Sequence, residues 1–561
     1  MRSFLFPLLL LLALTSAAQQ VDPYHYSSRK YMEAKRFAVS SAHPLASGAG
    51  AQIMREGGNA VDAAIAVQLA LAVVYPQAGN LGGGGFMVAR MADGRSVTID
   101  YREKAPGRSH RDMYLDSAGN PVTARSLEGH LAAGVPGTVA GLVASQAYGR
   151  LPLSKLIAPA IVLAEKGFAI TEQEAHGLNR LRDMFIRLNT QPNAFVKDTP
   201  WKTGDTLIQQ DLANTLRRIA KKGGKGFYSG ETARLVAAEM RRGGGIITET
   251  DMAAYKAVVR QPLEFMFRGY TVITMPLPSS GGIGLQQMLG MVEDFPLEKT
   301  GFHSPEAVQR MIEAERRAYA DRAEYLGDPD FVKVPVAQLT DKKYLQERIA
   351  DYVAGKPSPS KSIKAGGPFE STETTHLSVV DAEGNAVSVT TTLNGSYGSK
   401  VVVGGAGFLL NNEMDDFSVK PGAPNLYGLI GTEANAIAPG KRMLSCMTPT
   451  IVLKNGKPYM VTGTPGGSTI ITSLFQTLVN DIVFGMDAKS NVNAPKFHHQ
   501  WWPEDVRIEK EFPAATKAAL EKMGYPVKVG SPWSRTELIR IVDGKIEAVG
   551  DWRGDDSVAG E

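Results

Sequence analysis

The stretch Ala354-Gly355-Lys356-Pro357-Ser358-Pro359-Ser360, followed by Gly366-Gly367-Pro368 and then by Glu373-Thr374-Thr375-His376-Leu377-Ser378-Val379-Val380, decides how this chain is read. Proline, glycine and serine make residues 354–373 read as an exposed, flexible arm. From Thr374 the composition changes to β-branched and apolar residues. A turn, Asp381-Ala382-Glu383-Gly384-Asn385, separates this run from a second one, Ala386 to Leu393. Two strand-like runs around a turn predict a hairpin, so the arm enters a sheet at Glu373-Thr374. By itself such a junction reads as a linker into a domain. A second reading starts from chemistry. A threonine hydroxyl is a weak nucleophile and needs a base beside it, and a free α-amine, with a pKa near 8, is such a base. Cutting the chain before Thr374 would put nucleophile and base on one residue.

Outward from this junction, helical and strand-like segments alternate. Asn59 caps a predicted helix with Asp62 in its first turn, and the apolar run ends near Pro76. The loop Gly79 to Gly85 follows, then the strand-like Phe86 to Ala89. A glycine-rich loop leading into a strand, with no Lys-Ser/Thr, is the wrong order for a phosphate cradle, and close backbone packing is the expected use of these glycines. Ser304-Pro305-Glu306 opens another helix, running to about Tyr325, and Ser96 to Tyr101 and Tyr270 to Thr274 read as strands. The pattern predicts an α+β or layered α/β protein. With 561 residues the chain has room for two to four ordinary domains or one large layered one.

Composition narrows the function classes. Hydrophobic residues at 43% and charged residues at 21% describe a globular chain. The charges are interspersed and sum to +4, which gives no support to nucleic-acid binding. One early arginine, the apolar run Phe4 to Leu14 and the small residues up to Ala18 predict a secretory signal over residues 1–18. That run is too short to span a bilayer, so a periplasmic or extracellular protein with no stable membrane span is expected. The single cysteine, Cys446, excludes an intrachain disulfide. His498-His499 near Trp501-Trp502 has no third ligand pattern, so no metal or cofactor is expected, and the pair reads as a packed or hydrogen-bonded surface.

The segment from Thr374 to Ser418 resembles the start of the small subunit in the γ-glutamyltransferase family of N-terminal nucleophile hydrolases. The matching pieces are Thr374-Thr375-His376, Thr392-Leu393-Asn394 and Leu409-Leu410-Asn411-Asn412-Glu413-Met414-Asp415-Asp416-Phe417-Ser418. Further similarity lies in Pro76 to Met87, Tyr101 to Pro106, Pro276 to Gly282, Met443-Leu444-Ser445, Thr464 to Ser468 and Asp551-Trp552-Arg553-Gly554. The resemblance implies a four-layer αββα sandwich. It implies self-cleavage between Glu373 and Thr374 into a large subunit, 19–373, and a small one, 374–561, which stay together. It implies that Thr374 takes the γ-glutamyl group from glutathione or a related compound and passes it to water or to an amino acid or dipeptide amine. Thr392 would orient Thr374, and Gly466 and Gly467 would bind the oxyanion with their amides. Arg102 and Ser445 would hold the substrate α-carboxylate, and Asn394, Glu413 and Asp416 its ammonium. Cys446 stands where the family usually has a second serine, which leaves that carboxylate contact open against simple packing of the thiol. Pro421 to Arg442 resembles a lid loop with Tyr427 as its gate.

Two rivals remain at this stage. A β-lactam side-chain acylase, such as a cephalosporin acylase, would share fold and nucleophile, but its glutaryl group lacks the amine that the acidic residues suit. A γ-glutamyl-binding protein without catalysis would not need Thr374, Thr392, Gly466 and Gly467 intact.

Overall fold

In the computed structural model, residues 22–363, 374–423, 425–426 and 428–561 are described. The predicted signal, Glu373 and Tyr427 lie outside the described residues.

The strand predicted after Thr374 forms over Thr375–Val380 and makes a hairpin with Ala386–Thr392, in the register Thr375 opposite Thr391. On its other side it pairs with Ala38–Ser41. These strands are central to one of two seven-stranded sheets among the described residues. Its order is Ser557–Gly560, Ala38–Ser41, Thr375–Val380, Ala386–Thr392, Gly84–Arg90, Ser96–Asp100 and Val258–Arg260. The second sheet runs Tyr31–Ala34, Lys545–Val549, Glu537–Val542, Lys457–Gly463, Thr450–Lys454, Tyr270–Thr274 and Leu263–Phe267. Neighbouring strands in both sheets are antiparallel.

The two-residue period of a strand builds the layers. In the first sheet Val39, Met87, Leu377, Val379, Val387 and Val389 share a core with the helices Pro44–Arg55 and Ala60–Val74, while Ala38, Phe86, Val88 and Val380 belong to the core around the second sheet. That second core also takes in Gly281–Val292, Pro305–Tyr325 and Thr469–Ile482. Hydroxyls join the sheets: Ser40 donates to the Val549 carbonyl, Ser378 to that of Glu537 and Ser388 to that of Thr462, at 2.9, 3.2 and 3.0 Å. The result is the expected α+β, four-layer αββα sandwich.

Local signals act as predicted. Asn59 and Asp62 form a reciprocal capping box on Ala60–Val74, a helix buried along its whole length. Ser304 caps Pro305–Tyr325. Two expectations change. His498 and His499 are fully buried rather than at the surface: His498 bonds Thr472 and Gln500, and burial pushes its pKa down to about 4. The arm is also packed over its first part, because Ser360 is buried and its hydroxyl donates to the Trp501 carbonyl, while Ile363 enters the core. Composition registers Pro and Ser but not the partners waiting on another layer.

Candidate active site

Thr374 stands at the head of its strand and is 3% exposed. Its hydroxyl donates to Thr392 Oγ1 at 3.5 Å, and that oxygen accepts the Asn394 amide at 2.8 Å. The glycine-rich loop fixes Thr392. Asn80 Nδ2 donates to its carbonyl at 2.8 Å, and a Cβ on Gly83 would stand 2.0 Å from the same oxygen. Only glycine allows this approach. Asn394 takes φ +74°, and its side chain bonds the Asn412 carbonyl.

Gly466 and Gly467 have φ of +135° and +56° and lie just before the helix Thr469–Ile482. A Cβ on Gly466 would lie 2.3 Å from Ser534 Oγ. Amides at the amino end of a fourteen-residue helix favour negative charge, because the unpaired N–H groups and the helix dipole act together.

A cavity of about 20 Å³ brings Thr374, Thr392, Asn394, Arg102, Glu413, Asp416, Ser445, Cys446 and Gly467 together. Gly466 lines a neighbouring cavity that also reaches Thr374. Sequence reasoning missed Arg322, Leu429, Met447 and Ile470 in the first cavity. Arg322 belongs to the last turn of Pro305–Tyr325, where a cation already suits the helix end, so no signal marked it. Its Nε donates to Ser280 Oγ at 2.9 Å, and Ser280 in turn donates to the Ser445 carbonyl at 2.6 Å. The motif Pro276 to Gly282 thus carries the segment Ser445-Cys446-Met447. Leu429 brings the predicted lid loop to the cavity wall, and Asn425 of that loop donates to Asp416 at 3.2 Å.

Arg102 is fully buried among acids. Nη1 lies 2.6 Å from Glu413 and 3.6 Å from Glu103, Nη2 bonds Asp416, and Nε donates to the Met443 carbonyl at 3.3 Å. Burial raises the pKa of Glu413 and Asp416, opposed by Arg102, and pushes Glu103 up to about 8. One guanidinium therefore faces three buried carboxyl groups, and this surplus of acid suits an added ammonium. His376 is not in this set. Its ring bonds Thr390 and Ser378 between the sheets, and burial depresses its pKa to about 3, which keeps it neutral. Cys446 is buried with Sγ 4.0 Å from Ser280 Oγ, and burial raises its thiol pKa.

Two stacked antiparallel sheets between helices, with a threonine heading a strand beside a glycine pair at a helix amino end, define a protein of the N-terminal nucleophile hydrolase fold. The comparisons agree and go further. The family described as Gamma-glutamyltranspeptidase matches residues 46–561. The chain is 49% identical over 557 residues to a glutathione hydrolase proenzyme of Escherichia coli (strain K12), covering 97% of this chain and 96% of that one. A solved γ-glutamyltranspeptidase of Helicobacter pylori is 43% identical, covers 61% of this chain and 96% of its own, and superposes with a TM-score of 0.57. A solved cephalosporin acylase of Bacillus halodurans is 27% identical, with coverage of 97% and 99% and a TM-score of 0.83. The chain belongs to the γ-glutamyltranspeptidase family and is an enzyme of the γ-glutamyltransferase/hydrolase class.

Proposed function

We propose that the protein is a self-cleaving γ-glutamyltransferase that acts on glutathione and related γ-glutamyl compounds through an ester on Thr374. The observation that carries this is the meeting of Thr374, Thr392 and Gly467 with the Arg102–Glu413–Asp416 cluster in one cavity. An amino-acid head, with one carboxylate and one ammonium, matches that cluster in charge.

In maturation Thr374 Oγ1 attacks the Glu373 carbonyl carbon. The C–N bond breaks as the acyl group moves to oxygen, and water hydrolyses the ester, leaving Glu373 as a carboxylate and Thr374 with a free amine. The products are a large subunit, 19–373, and a small one, 374–561. In turnover that amine takes the hydroxyl proton as Oγ1 attacks the substrate γ-carbonyl. The oxyanion is stabilised by the amides of Gly466 and Gly467. The C–N bond then breaks and the leaving amine takes the proton. Water or an acceptor amine repeats the sequence in reverse and regenerates Thr374. Arg102 and Ser445 hold the α-carboxylate, with Cys446 beside them. Asn394, Glu413 and Asp416 hold the ammonium, and the loop Pro421 to Arg442, with Tyr427, covers the bound head.

A cephalosporin acylase activity is the second reading, favoured by the likeness to the Bacillus halodurans enzyme. A glutaryl group would leave Glu413 and Asp416 without an ammonium, so glutathione is the expected substrate. The signal-like residues 1–18 support export to the periplasm or exterior, and no helix among the described residues is long and apolar enough to cross a membrane. Purified protein is expected to run as two fragments with Thr374 at a new amino terminus and to hydrolyse glutathione. Thr374→Ala should stay one chain and lose turnover. Cleavage of the alanine variant at that bond would refute intramolecular attack, and turnover of glutaryl-cephalosporin in preference to glutathione would favour the second reading.

A further inference from the structure

Two hydroxyls that the function above does not use stand behind the glycine pair. The Gly466 carbonyl accepts from the Thr469 amide at 3.0 Å and from Thr469 Oγ1 at 2.8 Å. Because the Thr469 proton goes to that carbonyl, Ser534 Oγ is the donor in its own hydrogen bond to Thr469 Oγ1. A chain thus runs from Ser534 to Thr469 to the Gly466 carbonyl. All three residues are buried, and a Cβ on Gly466 would run into both hydroxyls. Ser534 takes φ +46°, a left-handed backbone that a serine adopts where its surroundings impose it. The turn is braced from the far end of the chain: the Trp533 amide donates to Glu509 Oε1 at 3.0 Å, and Arg553 lies 2.6 Å from Glu509.

Resting on the acyl-transfer reading, we propose that Thr469 and Ser534 are positioning residues for the oxyanion, which aim the Gly467 N–H and strengthen it as a donor. Two glycines leave the peptide between them free to rotate, so its hydrogen bonds set its plane. A trans peptide is planar, and its C=O and N–H point to opposite sides. With the Gly466 carbonyl fixed toward Thr469, the Gly467 N–H is turned the other way, where Gly467 lines the cavity with Thr374. That N–H has no hydrogen-bond partner among the described residues. A carbonyl that accepts two hydrogen bonds polarises its peptide, and Ser534 adds to this through Thr469, because hydrogen bonds in a chain reinforce one another. In acylation Thr374 Oγ1 bonds to the γ-carbonyl carbon, the carbonyl π pair moves onto oxygen, and the Thr374 amine takes the hydroxyl proton. The Gly467 N–H meets the charge that this oxygen then carries. Both hydroxyls act through the Gly466 carbonyl.

The test uses the mature enzyme, γ-glutamyl-p-nitroanilide as donor, and free glutamate as a competitive ligand that fills the head site without forming an oxyanion. Thr469→Val removes the hydroxyl at nearly constant volume. Its kcat/KM is expected to fall about ten- to hundredfold, less than the loss from deleting an oxyanion donor outright. The inhibition constant of glutamate should stay within about twofold, since the contact strengthens only as charge develops. Thr469→Ser, which keeps the hydroxyl, should restore most of the rate. Ser534→Ala should lower kcat/KM about two- to tenfold, the effect of one neutral hydrogen bond. Because Ser534 acts through Thr469, the double variant should be no slower than Thr469→Val alone. An unchanged kcat/KM in folded Thr469→Val would overturn the proposal. So would a glutamate inhibition constant that rises in step with the loss of kcat/KM, the mark of a merely disturbed site. Additive losses in the double variant would overturn the chain through Thr469. Should Thr469→Val fail to mature, Ser534→Ala is judged by the same two readouts. Absence of any turnover of the chromogenic donor by the parent would instead sink the acyl-transfer reading itself.

Discussion

Cys446 stands where the sequence resemblance implies a second serine, and its surroundings offer a polar partner as well as apolar ones. Its thiol lies 4.0 Å from the Ser280 hydroxyl, Arg322 donates to that same hydroxyl, and all three residues are buried. A serine there would find partners, so Cys446→Ser should cost little stability and lower the donor KM. A neutral hydrogen bond contributes about 0.5–1.5 kcal/mol, roughly a two- to tenfold effect. Paired KM and melting measurements check it; a lower melting temperature with unchanged KM would show that the thiol only packs. Glu103 makes a second residue-scale prediction. Burial, opposed by Arg102, raises its pKa to about 8 from an ordinary carboxyl value near 4.3. A raised carboxyl pKa means the folded state holds the proton longer than the unfolded one. The associated stability is present below about pH 4 and is lost as pH rises through about 8. Glu103→Gln, which cannot ionise, should flatten the fall of melting temperature between about pH 5 and 8. Superimposable profiles for parent and variant would contradict this.

At the scale of elements, the glycine loop is the support of the reacting strand. Gly82, Gly83 and Gly84 let the chain pass within a Cβ's reach of the carbonyls of Leu409, Thr392 and Tyr101. Asn80 then ties the loop to Thr391 and Thr392. Gly83→Ala should therefore push on the Thr392 carbonyl and move its hydroxyl away from Thr374. A loss of about 1–3 kcal/mol in stability, typical of overpacking, should come with a fall in kcat. Full kcat in a folded Gly83→Ala protein would show that Thr392 is positioned independently of this loop. The helix after Gly467 acts differently. Its amino end supplies a charge preference, and its Ile470 adds an apolar side chain to the wall of the first cavity.

Over the whole molecule, the strand Thr375–Val380 lies between Ala38–Ser41, which precedes the junction, and Ala386–Thr392, which follows it. Ala386–Thr392 pairs in turn with Gly84–Arg90. The proposed cleavage before Thr374 would break one covalent bond and leave these ladders and both cores in place. The two fragments are expected to co-elute on size exclusion in native buffer, to separate on a denaturing gel, and to unfold in one transition. Separate elution without denaturant would mean that the sheets do not hold the pieces together.

Hydrophobic periodicity, caps and turns are local, so the hairpin at Thr374, the helix Ala60–Val74 and the helix Pro305–Tyr325 were legible from neighbouring residues alone. So were the residue types that acyl transfer on an amino-acid head requires. Four lining residues of the first cavity were not, because Arg322, Leu429, Met447 and Ile470 carry no local mark of their role. Nor were the burial of His498 and Ser360, the sharing of Arg102 by three acids, or the link from Ser534 to Thr469 behind Gly466. Each joins residues far apart in the chain: Arg102 to Asp416, Ser534 to Thr469. Residue types, and hence the available chemistry, are written in the sequence. Which groups face one cavity, and how strongly burial shifts their charges, depends on long-range sheet pairing and layer packing, which only the tertiary structure decides.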